Sequence, residues 1–264
     1  MVVIGEKING AIPSVAEAIK SRDRVFIDTL ISKQEAAGAD YLDICAGTPP
    51  AEEYDALCWL IDIVQEKAAL PVCIDSPDPI MLARVLPKLN KPGIINSVSL
   101  ETGKCEALMP LLRENPDWCA VGLCCGDSGI ARTADDKVRN AFTLLERAGE
   151  YGILPDRIYV DPLVLALSAM DDSALQFIEA VRRIKERYPE VHVTAAISNI
   201  SYGMPARKLI NAHFLVLAME AGLDSIIADP AGAGIAAAIA AGSALLGKDR
   251  LCRSYYKAYR AGLL

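Results

Sequence analysis

The sequence predicts an α/β fold, a closed (β/α)8 TIM barrel in a single domain over residues 1–264. Three observations lead there. Short apolar runs and helix-length runs alternate eight times along the 264 residues, a length that one such barrel commonly fills. The short runs are apolar throughout, as parallel strands covered on both faces must be. Neither GxGxxG nor GxxxxGK[ST] is present, whereas a doubly wound open sheet would usually carry a glycine-rich phosphate loop after a strand.

The first strand is VVIGEKIN (2–9), and residues 14–39 form a long helical region with apolar side chains at helical spacing. YLDICAG (41–47) is the second strand, followed by an amphipathic helix at 54–68. PVCIDS (71–76) is the third with helix 80–89, GIINSVS (93–99) the fourth with helix 104–114, and CAVGLCC (119–125) the fifth with helix 135–151. The last three units pair IYVDPLV (158–164) with helix 172–188, VTAAISNIS (193–201) with helix 207–221, and SIIADP (225–230) with helix 234–246. These units share no sequence signature, so the repeat is one of fold and not of solenoid type.

With 27 Lys and Arg against 34 Asp and Glu, the net charge is −7 and the pI near 5.0, which argues against a general nucleic-acid surface. Small molecules or proteins are the expected partners. The start MVVIGEKING is apolar over too few residues for a signal peptide. The apolar stretch at 226–246 is broken by Asp229, Pro230 and several glycines, so no membrane span is expected and the protein is placed in the cytoplasm. Eight cysteines without a CxxC pair read as reduced core residues, and strand alternation points adjacent Cys124 and Cys125 to opposite faces. Two histidines, His192 and His213, exclude a His-rich metal site.

In a barrel of this kind the C-terminal ends of the strands converge on the rim where catalytic residues sit. Those ends carry Glu6 and Asn9, Asp43, Asp75, Asn96, Asp161, Asn199 and Asp229. A lone Asp or Asn there serves equally well as a helix N-cap or turn former, and SNISYG around Asn199 suits a turn for local reasons. A whole rim of them differs: uncompensated carboxylates in one mouth repel one another and call for a donor-rich ligand or a cation. No His base, no Ser or Cys nucleophile beside a His and no Schiff-base Lys within a strand is present. An oxygen-only divalent-metal site stays open as one reading. The better fit is a flat heterocycle with several N–H groups, to which carboxylates accept while amides both accept and donate; no metal ligand is assigned.

Seven segments, GEKING (5–10), LDICAG (42–47), CIDSPDP (73–79), INSVS (95–99), DPLV (161–164), SNISYGMPAR (198–207) and NAHFLVLAMEAGLDSIIADP (211–230), follow one another along nearly the whole chain. In that order they resemble the pterin-binding barrels of methyltetrahydrofolate:corrinoid-protein methyltransferases, related to the pterin domain of cobalamin-dependent methionine synthase and sharing the barrel of dihydropteroate synthase. The resemblance implies that Asp75, Asn96 and Asp161 hold the pterin ring and that Asn199 contacts N5, which carries the methyl group. Asn9, Asp43 and Ser198 join them as expected substrate contacts. Arg207 is either a cation for the glutamate tail of folate or an ordinary first-turn residue. Cys45 departs from the pattern, which often has Asn there, and a thiol is a weak hydrogen-bond partner.

The implied reaction moves the N5 methyl group between methyltetrahydrofolate and the cobalt of a corrinoid (cobalamin) on a partner protein. Asn199 is the expected catalytic donor, and cobalt supplies the nucleophile that this chain lacks. Short loops at 46–52 and 202–206 leave the mouth open to such a partner. A homodimer is expected from the resemblance. Two alternatives are kept: a dihydropteroate synthase-like enzyme, which would need cations where this chain has AGAGIAAAIAAG after its last strand, and a non-catalytic pterin-binding subunit, against which Asn199 argues.

Overall fold

Eight parallel strands form the barrel wall in this computed structural model, which describes residues 1–232, 234–262 and 264. They are β1 (Val2–Asn9), β2 (Tyr41–Cys45), β3 (Val72–Asp75), β4 (Ile94–Leu100), β5 (Cys119–Gly126), β6 (Ile158–Asp161), β7 (His192–Val193) and β8 (Ser225–Ala228). Their order in the sheet is β7-β6-β5-β4-β3-β2-β1-β8, with a two-residue antiparallel return at Gly129–Ile130 on β5. The seam between β7 and β8 is thin. It rests on a bridge between Ala196 and Ile227, with the Ile227 N–H donating to the Ala195 carbonyl at 2.8 Å and the Asp224 N–H to that of Val193 at 3.3 Å.

The helices ring the wall: α1 (Pro13–Ser21), α2 (Arg24–Ala36), α3 (Pro50–Lys67), α4 (Pro79–Val85), α5 (Lys104–Glu114), α6 (Ala134–Glu150), α7 (Ser173–Arg187), α8 (Arg207–Ala221), α9 (Ile235–Leu245) and α10 (Arg253–Arg260). The stretch 14–39 is thus two helices and not one. Arg22 turns left-handed (φ 56°), and Asp23 restarts the chain as an N-cap whose carboxylate accepts from the Phe26 N–H at 3.0 Å. The strand expected at 193–201 is likewise cut short. Beyond Ala196 the chain winds into a 3-10 turn, Ile197–Ser201, because Ser and Asn here favour the turn and no neighbouring strand claims their backbone groups. Helix α10 has no counterpart among the expected elements.

Two cores result. The larger fills the space between strands and helices, with Leu42, Ile44, Leu57, Leu60, Phe177 and Leu215 among its fully buried members. The smaller lies inside the barrel and comprises Ile4, Cys73, Ile94, Val121 and Tyr159. Because successive side chains of a strand alternate faces, the residue two places after each interior member also points inward, one layer higher. That step of two leads from Cys73 to Asp75, from Ile94 to Asn96 and from Tyr159 to Asp161, so the interior is apolar low down and polar at the mouth.

Candidate active site

Strand register assembles the polar layer. Asp43 lies beside Cys73 across the β2–β3 pair, Cys45 beside Asp75, and Asp75 beside Asn96 across β3–β4. The Asn96 amide donates to Asp43 Oδ1 at 3.2 Å. Cys45, the departure from the family pattern, thus sits as a neighbour of Asp75, as Cys73 does of Asp43. The peptide between Asn96 and Ser97 is cis. On the far side Asp161 ends β6, and its Oδ1 accepts from the Leu163 N–H at 2.7 Å.

These carboxyls are held away from their ordinary acidity. Asp43 is 3 % exposed, and burial together with the adjacent Asp75 raises its pKa. Burial raises Asp75 as well, the thiol of Cys45 opposing and the carboxylate of Glu53 adding to it. Asp161, 4 % exposed, is pushed up to about 6 by burial, against the pull of the Leu163 N–H and of Lys137. Glu6 is also raised, chiefly by burial, with Lys7 opposing and Asp229 adding. Among the described residues, Asp229 alone of the rim acids has a cation in contact, Lys7 Nζ at 3.6 Å. A layer of buried and half-buried acceptors short of donors fits a ring that brings several N–H groups.

Asn199 sits in the 3-10 turn above this layer. Its backbone N–H donates to the Ala196 carbonyl at 3.2 Å and its own carbonyl accepts from Tyr202 at 3.1 Å, while its exposed side chain makes no hydrogen bond to a described residue. The turn is braced from α8. Arg207 donates to the Ser198 carbonyl at 2.7 Å and to Ser201 Oγ at 3.1 Å, and Ser201 Oγ donates to Asn211 Oδ1 at 2.6 Å. The structure therefore gives Arg207 a bracing role at the first turn of α8. Ser198 lines a small cavity of about 110 Å3 with Glu6, Asn211 and Asp229. Asn9 closes a local turn, its Oδ1 accepting from the Ala11 N–H at 2.8 Å.

Two buried charged residues behind the site escaped the reading of strand ends because they belong to helices. Glu53, in the first turn of α3, accepts from Ser76 Oγ at 2.6 Å, next to Asp75. Lys137, in α6, donates to the carbonyls of Pro162 and Leu163, each at 2.6 Å, next to Asp161. A signal for the latter does exist: Lys137 falls on the stripe Ala134, Val138, Ala141, Leu145, where the helical period demands an apolar side chain. Among the described residues no group of three His, Cys, Asp or Glu side chains is arranged to hold a metal ion.

Known proteins share the family and the fold of this chain. Residues 18–229 match the family model of pterin binding enzymes. The chain is 47% identical over 263 residues to the methylcorrinoid:tetrahydrofolate methyltransferase of Eubacterium limosum, covering 99% of this chain and 97% of that protein. It is 30% identical over 240 residues to the methionine synthase of Mycobacterium tuberculosis, covering 86% of this chain but 20% of that longer enzyme. In fold it resembles a dihydropteroate synthase from Coxiella burnetii, with a TM-score of 0.71 over 94% of each chain at 17% identity. The chain belongs to the pterin-binding enzymes and, within them, to the methyltetrahydrofolate:corrinoid-protein methyltransferases.

Proposed function

We propose that this enzyme moves the N5 methyl group between methyltetrahydrofolate and the cobalt of a corrinoid carried by a partner protein, with Asn199 as the group that acts on N5. The observation that carries the reading is the mouth itself: buried Asp43 and Asp161 and half-buried Asp75 and Asn96 form a set rich in acceptors, with an Asn199 amide that has no described side-chain partner in the turn above. A pterin ring presents a flat edge of N–H groups that such a set satisfies. Asp75, Asn96 and Asp161 hold that edge, and Asp43 supports Asn96 from below.

When the methyl group leaves for the cobalt, the N5–carbon bond breaks, its electron pair stays on N5, and a proton from solvent is taken up there to give tetrahydrofolate. That nitrogen then needs a hydrogen bond it did not need while methylated. Asn199 can supply one from its Nδ2, and since its side chain has no other described partner, no existing bond must break. In the opposite direction, as the name of the Eubacterium limosum relative writes the transfer, the amide releases N5 as its lone pair takes the methyl group and the N5 proton is lost to solvent. The bracing by Arg207 and Ser201 preorganises the turn, which counts because a donor that moves during reaction loses much of its worth.

Calorimetric titration with methyltetrahydrofolate, without metal or partner, tests the pocket. Micromolar binding that disappears in Asp75→Ala is expected; undiminished binding in that variant refutes the assignment. A homodimer is supported by α9, which carries no charged residue from Ile235 to Leu245 although it lies on the outside of the barrel. Its neighbour α8 leaves Leu209 and Leu217 more than half exposed beside it. Sedimentation equilibrium should give a dimer, and Leu217→Glu a monomer. A cytoplasmic location is supported by eight free thiols, and no helix of the described residues is long and apolar enough to cross a membrane.

A further inference from the structure

Lys137 is among the largest side chains that the fold buries completely, 1 % exposed on the inward face of α6. A buried ammonium is costly unless its donors are used. Here they reach the carbonyls of Pro162 and Leu163, each at 2.6 Å, the two residues that follow Asp161. Leu163 has φ 60°, a left-handed conformation that a residue with a side chain resists. In that conformation its N–H turns back onto Asp161 Oδ1 at 2.7 Å, and Pro162, between them, has no N–H to offer.

We propose that Lys137 is a positioning residue for the pterin site: it clamps the Asp161–Pro162–Leu163 corner in its left-handed turn and so keeps the Asp161 carboxylate directed into the barrel mouth. The clamp is intolerant of other side chains, since it takes a long stem crossing from a helix and a head with several donors to seize two consecutive carbonyls. Its charge acts in the same sense. The titratable groups that bear on Asp161 are Lys137 from α6 and the thiols of Cys124 and Cys125 from β5. Burial pushes both thiols up, leaving them neutral at pH 7, so Lys137 is the cation that favours an ionised Asp161. An ionised carboxylate is the form that accepts from the N–H groups of the ring.

The proposal rests on the reading of Asp161 as a pterin contact, and the experiment separates the two. Methyltetrahydrofolate affinity is measured by calorimetry from pH 5 to pH 8 for the native enzyme, Lys137→Met, Lys137→Gln, Asp161→Asn and the Lys137→Gln, Asp161→Asn double variant. Lys137→Gln keeps a donor for the carbonyls without the charge, which guards against misfolding of the Met variant. Both Lys137 variants should weaken binding, and the low-pH loss of affinity should move upward by about one pH unit, a tenfold change on that limb. Asp75 is intact in both, so the movement reports Asp161. In the Asp161→Asn background the Lys137 change should have no further effect. An unmoved limb, or an equal weakening in that background, would mean that Lys137 serves only packing. Native affinity in Asp161→Asn would instead remove Asp161 from the pocket, and the role of Lys137 with it.

Discussion

At the N-terminal end of the barrel Asp224 accepts from Lys185 Nζ at 3.0 Å and the Val193 N–H at 2.8 Å, with His192 Nδ1 at 3.3 Å. Although burial alone would raise it, these partners hold its carboxyl below the ordinary value. At the C-terminal end of the same wall, Asp43, Asp75 and Asp161 have thiols, an amide and a backbone N–H as neighbours and are all raised. One end satisfies its acid from within the protein. The other leaves its acids short of donors, and in a folded protein that shortage marks a place where a ligand completes the structure. The same residue type thus serves stability at one rim and binding at the other, in keeping with the division of labour between the two faces of such barrels.

The sharpest way to break this comparison is at the turn over the mouth. Asn199→Ala should slow methyl transfer by about 10² to 10³-fold, the usual effect of removing one preorganised donor. Its melting temperature should stay unchanged, because the side chain is exposed and bonded to no described residue. Native turnover would end the proposed role of Asn199. Next in size, Asp161→Ala should weaken methyltetrahydrofolate binding by about tenfold to a hundredfold, on the order of 1.5 to 3 kcal/mol for charged hydrogen bonds. Asp156→Ala, in the 3-10 segment Pro155–Arg157 before β6, should leave it as it was. Equal affinities in the two variants would sever Asp161 from the site.

The two ends should also respond to mutation with opposite signs. Without ligand, Asp75→Asn removes a half-buried, raised acid that has no cation in contact among the described residues and should raise the melting temperature at pH 7, while abolishing folate binding. Asp224→Asn should lower it and leave binding intact. Each change is about 1 to 2 kcal/mol, or a few degrees for a chain of this length. The pH dependence distinguishes them further. Acids raised in the folded state favour folding at low pH and lose that contribution as pH rises through their folded value, about 6 for Asp161. Asp224, lowered, contributes above its ordinary value near 4 and loses the contribution as pH falls through its folded one. The stability gap between native enzyme and Asp75→Asn should therefore close as pH falls from 7 toward 5, while the gap to Asp224→Asn persists. Parallel pH profiles would erase the distinction between the two ends. The smallest effect is expected from Cys45→Ser, which keeps a donor beside Asp75 and should alter folate affinity less than threefold, under about 0.7 kcal/mol.

Much of the site was legible because strands obey a period of two. Once Cys73, Ile94 and Tyr159 are inside the barrel, Asp75, Asn96 and Asp161 must face the same way one layer up. Asn199 was found by its residue type and by resemblance, but its setting was misjudged. Apolar composition continues through Ile197 and Ile200, and nothing local in it distinguishes a strand from a buried 3-10 turn. Lys137 and Glu53 were missed for a different reason, since a charged residue in a helix's first turns ordinarily faces solvent.

The alternation of eight apolar strands with helices, the line of interior residues and the polar rim were determined by the sequence alone, because hydrophobic periodicity and side-chain direction are properties of each short segment. The tertiary structure decided the rest. It closed the seam from Ala196 to Ile227, turned the chain at Ile197–Ser201 under the brace of Arg207, and carried Lys137 across to the carbonyls after Asp161. These contacts join residues that lie far apart in the chain or bend it against its local pattern. Their energies exist only once the barrel has brought the partners together and removed the water between them.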